Sequence, residues 1–185
     1  VLQNGKSDNE LLMYWPIYDQ SASPKGKDVT FKVHNVERWL VPTPMYENLN
    51  KLSKMGYSLD MISDKMIGES KLENQKIQVS KDGSAYQVLI VPELTYLPES
   101  TLKNIIDLAQ NGASIIFQNE PKEVNGNFEL DRRRTELKSL WNQIQFQNQT
   151  GNLKMASFGK GKIVVSSDVA KALEYLKIER EKLTD

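Results

Sequence analysis

The sequence predicts an α/β chain, a three-layer αβα sandwich around a mostly parallel five-stranded sheet. Three observations lead there. The stretch from Tyr86 to Gln118 reads as one strand, crossover helix and strand, and in it Val88, Leu89, Ile90 and Val91 run apolar without alternation, as a parallel strand covered on both faces requires. Leu102, Ile105, Ile106 and Ala109 recur at helical spacing between Pro98, which suits a first turn, and Asn111-Gly112, which closes a helix. The remaining apolar segments alternate between strand-like and helix-like along the chain, which puts helices on both faces of one sheet.

Each element follows in order. Residues 1–9 are a polar lead-in, and Leu11 to Trp15 makes a first strand that breaks at Pro16. A long Ser, Pro, Gly and Lys-rich loop from Gln20 to Lys27 is of the kind that is functional or mobile in compact domains. Val29 to Trp39 reads as an irregular segment or short helix. Thr43 caps the first clear helix with Pro44 at its first position; Leu49, Leu52 and Met55 form its apolar face, and Gly56 ends it. Tyr57 to Ile62 is the second strand, and Ser63-Asp64 caps a short helix through Ile67. Lys76 to Ala85 looks like a polar hairpin around Asp82-Gly83, leading into the central strand that ends at Pro92. After Phe117 comes a loop with Asn125-Gly126-Asn127 at its tip, then a helix from Asp131 to Ile144 with Leu137, Leu140, Trp141 and Ile144 on one face. Leu153 to Phe158 and Lys162 to Ser166 pair around Gly159-Lys160-Gly161, and Val169 to Lys177 is the last helix. Strands and helices in this succession suit the flavodoxin-like strand order 2-1-3-4-5.

Bulk composition excludes several classes. The 185 residues suit one domain, assigned to 1–178, with 179–185 leading toward a following domain. Lys plus Arg number 24 and Asp plus Glu also 24, so no net field favours nucleic acid or an anionic membrane. No charged leader precedes an apolar run, and no run is long enough for a spanning helix, so membrane insertion is not expected. The chain opens on Val1, which reads as a mature or excised segment. It has no cysteine, which removes thiolate chemistry, disulfides and cysteine-bound zinc.

Ligands of such sheets bind beyond the carboxyl ends of the strands. That edge comprises Trp15 to Asp19, Ser63-Asp64, Glu93 to Tyr96, Gln118 to Glu120 and Ser166 to Asp168. A glutamine amidotransferase needs a Cys on the turn after the central strand, where this chain has Pro92-Glu93-Leu94, and a serine hydrolase needs the absent GxSxG turn. The acidic and Lys pattern of a receiver domain occurs only in fragments. Gln20-Ser21-Ala22-Ser23-Pro24 lacks the glycine of a phosphate loop, Gly159-Lys160-Gly161-Lys162 suits a hairpin turn, and His34 reads as a structural or surface histidine. Flanked by Asp131 and Glu136, the Arg132-Arg133-Arg134 run reads as a solvated first turn. What stands out is Tyr14-Trp15-Pro16-Ile17-Tyr18-Asp19, aromatic rings beside a carboxylate, which suits either a sugar's C–H faces and hydroxyls or a Trp packed under its loop. Candidate substrate-proximal residues are Trp15, Tyr18, Asp19, Glu93 and Tyr96; Asp19 with Glu93 is a candidate glycosidase acid and base pair, subject to their separation.

The runs YWPIYD, GYSLDMISDKMI, YQVLIVPELTYLPESTLKNIIDLAQNGASIIF and FGKGKIVVSSDVAKALEYLKI together resemble the amidotransferase-like domain of large bacterial α-L-rhamnosidases of glycoside hydrolase family 106. The likeness spans most of residues 11–178. Its middle part is also similar to the trimerisation domain of family 42 β-galactosidases. The resemblance implies a flavodoxin-like or class I glutamine-amidotransferase-like fold without its nucleophile. It also implies that the catalytic carboxylates and a sugar-binding calcium belong to a separate barrel portion. On that basis no catalytic residue, metal or cofactor is assigned to this chain. The expectation is a non-catalytic accessory domain of a rhamnosidase acting on plant polysaccharides, in the periplasm or secreted. Its partners would be the remaining domains of the same polypeptide, with carbohydrate a candidate ligand, and whether it lends a loop to the sugar site stays open. The alternatives are an oligomerisation domain of a β-galactosidase-like enzyme and a free-standing flavodoxin-like binding protein.

Overall fold

The computed structural model describes residues 8–22, 32–81, 83–148 and 152–180. Its spine is a sheet whose parallel strands are β1 (Leu11–Tyr14), β2 (Leu59–Ile62), β6 (Val88–Val91), β7 (Ser114–Phe117) and β10 (Gly161–Val165). To β10 is added antiparallel β9 (Lys154–Phe158), and to β9 the short β8 (Gln147–Asn148), so the order is β2-β1-β6-β7-β10-β9-β8. The sheet therefore has seven strands rather than the expected five. The hairpin that carries β9 and β10 joins the sheet through β10 alone, and β9 then offers a free edge that β8 occupies.

Register sorts the side chains by face. Met13, Ile90, Ile116 and Val164 lie in one row across β1, β6, β7 and β10, and Leu12, Leu89, Ile115 and Ile163 in the next. Because successive residues of a strand point to opposite faces, the two rows feed two cores. The first core is closed by Met45 and Leu52 of α3 (Pro44–Lys54) and by Val169, Ala172 and Leu173 of α7 (Val169–Leu176). The second is closed by Leu102, Ile105, Ile106 and Ala109 of α5 (Glu99–Asn111), Ile67 of α4 (Asp64–Glu69), and Leu137 and Trp141 of α6 (Leu130–Asn142). Ile90 is fully buried, so its removal would cost both transfer free energy and a cavity.

Most predicted boundaries differ from the structure by one or two residues. Thr43 does cap α3, accepting from the Tyr46 amide at 3.1 Å, and Ser63 accepts from the Met66 amide at the start of α4. Trp15 falls just beyond β1, and Tyr57 precedes β2. Two larger differences concern turns. The expected polar hairpin is part of a separate three-stranded antiparallel sheet, β3 (Lys71–Glu73), β4 (Lys76–Gln78) and β5 (Ala85–Tyr86). Its first turn uses Asn74 and Gln75, both left-handed at φ 50° and 63°, a turn without the glycine that would have marked it. Tyr86 belongs to β5 rather than to the central strand. Asp82 lies outside the described residues, as do 23–27 of the long loop and 29–31 of the segment read as irregular. The start of that loop is helical instead: α1 runs Ile17–Ala22 immediately after Pro16, followed by a 3-10 turn at Val33–Asn35 and the short α2 (Val36–Trp39).

Gly161 has close backbone on two sides. A Cβ there would stand 2.2 Å from the Ala113 carbonyl oxygen and 2.4 Å from that of Ala109, so the β9–β10 turn can lie on the end of α5 only without a side chain.

Candidate functional site

All five parallel strands deliver their carboxyl ends to one edge, and the connections that leave it carry every predicted site residue. Asp19, on the first turns of α1, sends one carboxylate oxygen to the Thr95 amide at 2.7 Å and the other to the Tyr96 amide at 3.0 Å. This couples the β1 connection to the β6 connection. Burial pushes the Asp19 carboxyl above its ordinary value, and the two backbone donors oppose that rise.

Beside it, Asp64 at the head of α4 accepts from the Tyr14 hydroxyl at 2.8 Å and from the Thr101 hydroxyl, tying β1, α4 and α5 together. Burial raises the pKa of the Tyr18 hydroxyl, and the Asp64 carboxylate adds to the rise. Tyr14 is raised for the same two reasons, burial first, so it stays a neutral donor.

A third cluster lies across the middle of the edge. The Gln118 side-chain oxygen accepts from Asn48 of α3 at 2.6 Å and from the Glu93 amide at 2.8 Å, while its nitrogen donates to the Ser167 carbonyl at 3.1 Å. Asn119 exchanges two bonds with the Leu94 backbone, its oxygen accepting at 3.1 Å and its nitrogen donating at 2.7 Å. Lys51 meets Asp168 at 2.8 Å, holding that carboxyl below its ordinary value.

The structure thus brings Asp19 and Tyr96 together through the backbone, with Tyr18 on the same short helix as Asp19. Trp15 does not join that group. Half-buried, it packs its ring on Trp39 at 5.6 Å between centroids, and Trp39 donates its indole N–H to the Lys32 carbonyl. The Glu93 side chain is exposed, and its backbone is what the Gln118 cluster holds. Tyr96 is half-buried and bridges to Glu123. His34 is exposed on the 3-10 turn.

Sequence reasoning put Asp64 and Gln118 on the edge without naming them as site candidates, and passed over Asn48 and Thr101. One signal was available. Asn48 and Thr101 sit on the buried stripes of their helices, and a polar residue on such a stripe needs a partner. The Arg run also departs from expectation. Arg133 is not solvated: its guanidinium bonds Glu99 at 2.9 and 3.0 Å and the Asn125 carbonyl at 2.6 Å, with only 14% of the side chain exposed. Arg134 grips Glu123 with three bonds between 2.6 and 3.0 Å, and Arg132, the most exposed of the three, bonds Glu129 and Glu136. A charge run on a helix says nothing of which partner loops the fold will lay over it.

Chemically, the edge is latched. The Asp19, Asp64 and Asp168 carboxylates and the Asn48, Gln118 and Asn119 amides are engaged with neighbouring elements, and no buried side-chain nitrogen or oxygen among the described residues lacks a partner. No group of three or more His, Cys, Asp or Glu gathers among the described residues as a metal ion would need. No helix among them is long and apolar enough to cross a membrane.

A mostly parallel sheet with helices on its faces defines an α/β domain. The chain belongs to the α-L-rhamnosidase family, glycoside hydrolase family 106, whose family model matches residues 26–184. It is similar to the structure of a rhamnosidase from Novosphingobium sp. PP1Y, at 20% identity and a TM-score of 0.54, over 68% of this chain and 12% of that one. It is similar also to a GH42 β-galactosidase of G. stearothermophilus, at 10% identity and a TM-score of 0.55, over 96% of this chain and 31% of the other. A Formosa agariphila protein named "Putative beta-glucuronidase" is 26% identical over 113 residues, 61% of this chain and 10% of the relative. The structural likenesses speak for the fold. The chain spans about a tenth of the rhamnosidase and of the Formosa relative.

Proposed function

We propose that this chain is a non-catalytic accessory domain, residues 1–178, of a large α-L-rhamnosidase-like glycoside hydrolase acting on plant polysaccharides outside the cytoplasm. Its fold is read as flavodoxin-like and amidotransferase-like. Support for that comes from the five parallel strands, which taken in chain order lie second, first, third, fourth, fifth. The observation that carries the non-catalytic reading is the latched edge. The turn after β6 gives its Glu93 amide to Gln118 and its Leu94 amide to Asn119, and Asp19 is spent on the amides of Thr95 and Tyr96. A carboxylate that accepts two backbone bonds is poorly placed to move a proton in a reaction.

The 185-residue chain should release neither nitrophenol from an aryl rhamnoside nor ammonia from glutamine, while the full-length parent does the first. Rhamnoside hydrolysis by the chain alone would overturn the reading. Asp19→Asn in the full-length parent addresses the sugar-proximal candidates: unchanged kcat and KM make Asp19 a latch, whereas a KM raised for long substrates alone would return Trp15, Tyr18 and Asp19 to a sugar subsite. A stable trimer of the chain by light scattering would favour the oligomerisation role instead.

A further inference from the structure

From the placement of the exposed apolar side chains, we infer that the carboxyl edge of the sheet is the face by which this domain docks onto the remainder of its parent polypeptide, with Phe128 as the anchor. This rests on the accessory-domain reading and adds to it a face and a residue. Among the described residues, the large apolar side chains left exposed are Val33, Val41, Met61, Met66, Phe128 and Tyr175. Singly such residues mean little, but their positions are not scattered. Val33 and Val41 lie between α1 and α3, where Trp39 packs on Trp15 just past β1. Met61 is the penultimate residue of β2, and Met66 lies in the first turn of α4 that follows it. Phe128 lies between β7 and α6. All five sit at the carboxyl edge; Tyr175 alone, in the last turn of α7, is at the other end.

Phe128 is the strongest of these because it is 77% exposed on a connection that is held in place. Asn119 fixes the start of that connection to Leu94, and Arg134 fixes Glu123. The side chain of Arg133, itself mostly buried, bonds Asn125 and Glu99, and Glu129 next to Phe128 adopts a left-handed φ of 45°. An exposed aromatic on a connection whose backbone is pinned on both sides suits an interface anchor, since little backbone ordering entropy remains to be lost on burial. The occupant follows from charge and from length. Equal numbers of acidic and basic residues give no field for a charged partner, and the chain matches 12% of the rhamnosidase it resembles, so the occupant proposed is an apolar surface of the remaining polypeptide.

The test is photo-crosslinking in the full-length parent, with benzoylphenylalanine in place of Phe128 and, separately, in place of Tyr175. The expected result is crosslinks from position 128 to peptides outside this domain and few or none from 175. Crosslinks from 175 but not from 128 would overturn the docking face while leaving the accessory role standing. Crosslinks from 128 to a second copy would replace the occupant and overturn the proposal. Products confined to residues 1–178 from both positions would overturn it too. Failure of the accessory reading itself would show separately, as rhamnoside hydrolysis by the 185-residue chain.

Discussion

Arg133 and Glu99 show how much rests on one pair of side chains. Both are nearly out of solvent, 14% and 12% exposed, and they join the head of α5 to α6 while Asn125 of the loop between β7 and α6 bonds the same guanidinium. Removing one partner leaves the other charge buried without compensation. Arg133→Ala should therefore cost on the order of 3 kcal/mol in urea unfolding. Arg133→Lys should recover only part of it, because an ammonium cannot reproduce the forked contact. If Arg133→Ala unfolds at the parent's urea midpoint, the pair contributes nothing net.

At the scale of elements, the βαβ unit of β6, α5 and β7 carries the sheet. Ile90 lies between Met13 of β1 and Ile116 of β7 with no exposed surface, so Ile90→Ala should lose about 2 to 5 kcal/mol. A parent-like stability for that variant would mean the first core is less tightly packed than its burial indicates. The docking of the β9–β10 turn on α5 is tested by Gly161→Ala. With two carbonyl oxygens inside the space of its Cβ, backbone must move, at roughly 1 to 3 kcal/mol as for other overpacked sites. Faster amide exchange in β9 and β10, with α3 unaffected, is the signature expected of it.

For the molecule as a whole, acid should be the destabilising direction. Burial acts to raise Glu99, but Arg133 outweighs it and holds the carboxyl below its ordinary value; Arg134 lowers Glu123, and Lys51 lowers Asp168. Folded values below the unfolded ones mean stability that is present above the unfolded carboxylate range and lost as pH falls through the depressed values. Asp19 has the opposite sign. Its folded value is raised, so between its ordinary and raised values the native state binds more protons and stability falls as pH rises. Urea midpoints measured from pH 7 downward should decline below the ordinary carboxylate range. Asp19→Asn should flatten the opposing segment, and a decline unchanged in Arg133→Ala would remove Glu99 from the account.

What the sequence determined by itself is the layering. Unbroken apolar runs such as Val88–Val91, the helical stripe of Leu102, Ile105, Ile106 and Ala109, and caps such as Thr43 are local patterns, and local patterns dictate local structure. The sequence also named the edge on which polar residues would meet, because parallel strands must end together. Tertiary structure alone decided which of those residues meet. Asp19 finds amides 76 and 77 residues away, Gln118 finds Asn48 at a separation of 70, and Arg133 finds Glu99 at 34. No periodicity encodes such partners, since a hydrogen bond of this range depends on how whole elements pack. The seventh strand and the three-stranded sheet escaped for a related reason: two- and three-residue strands have no period to read, and their pairing is set by the edges that longer strands leave open.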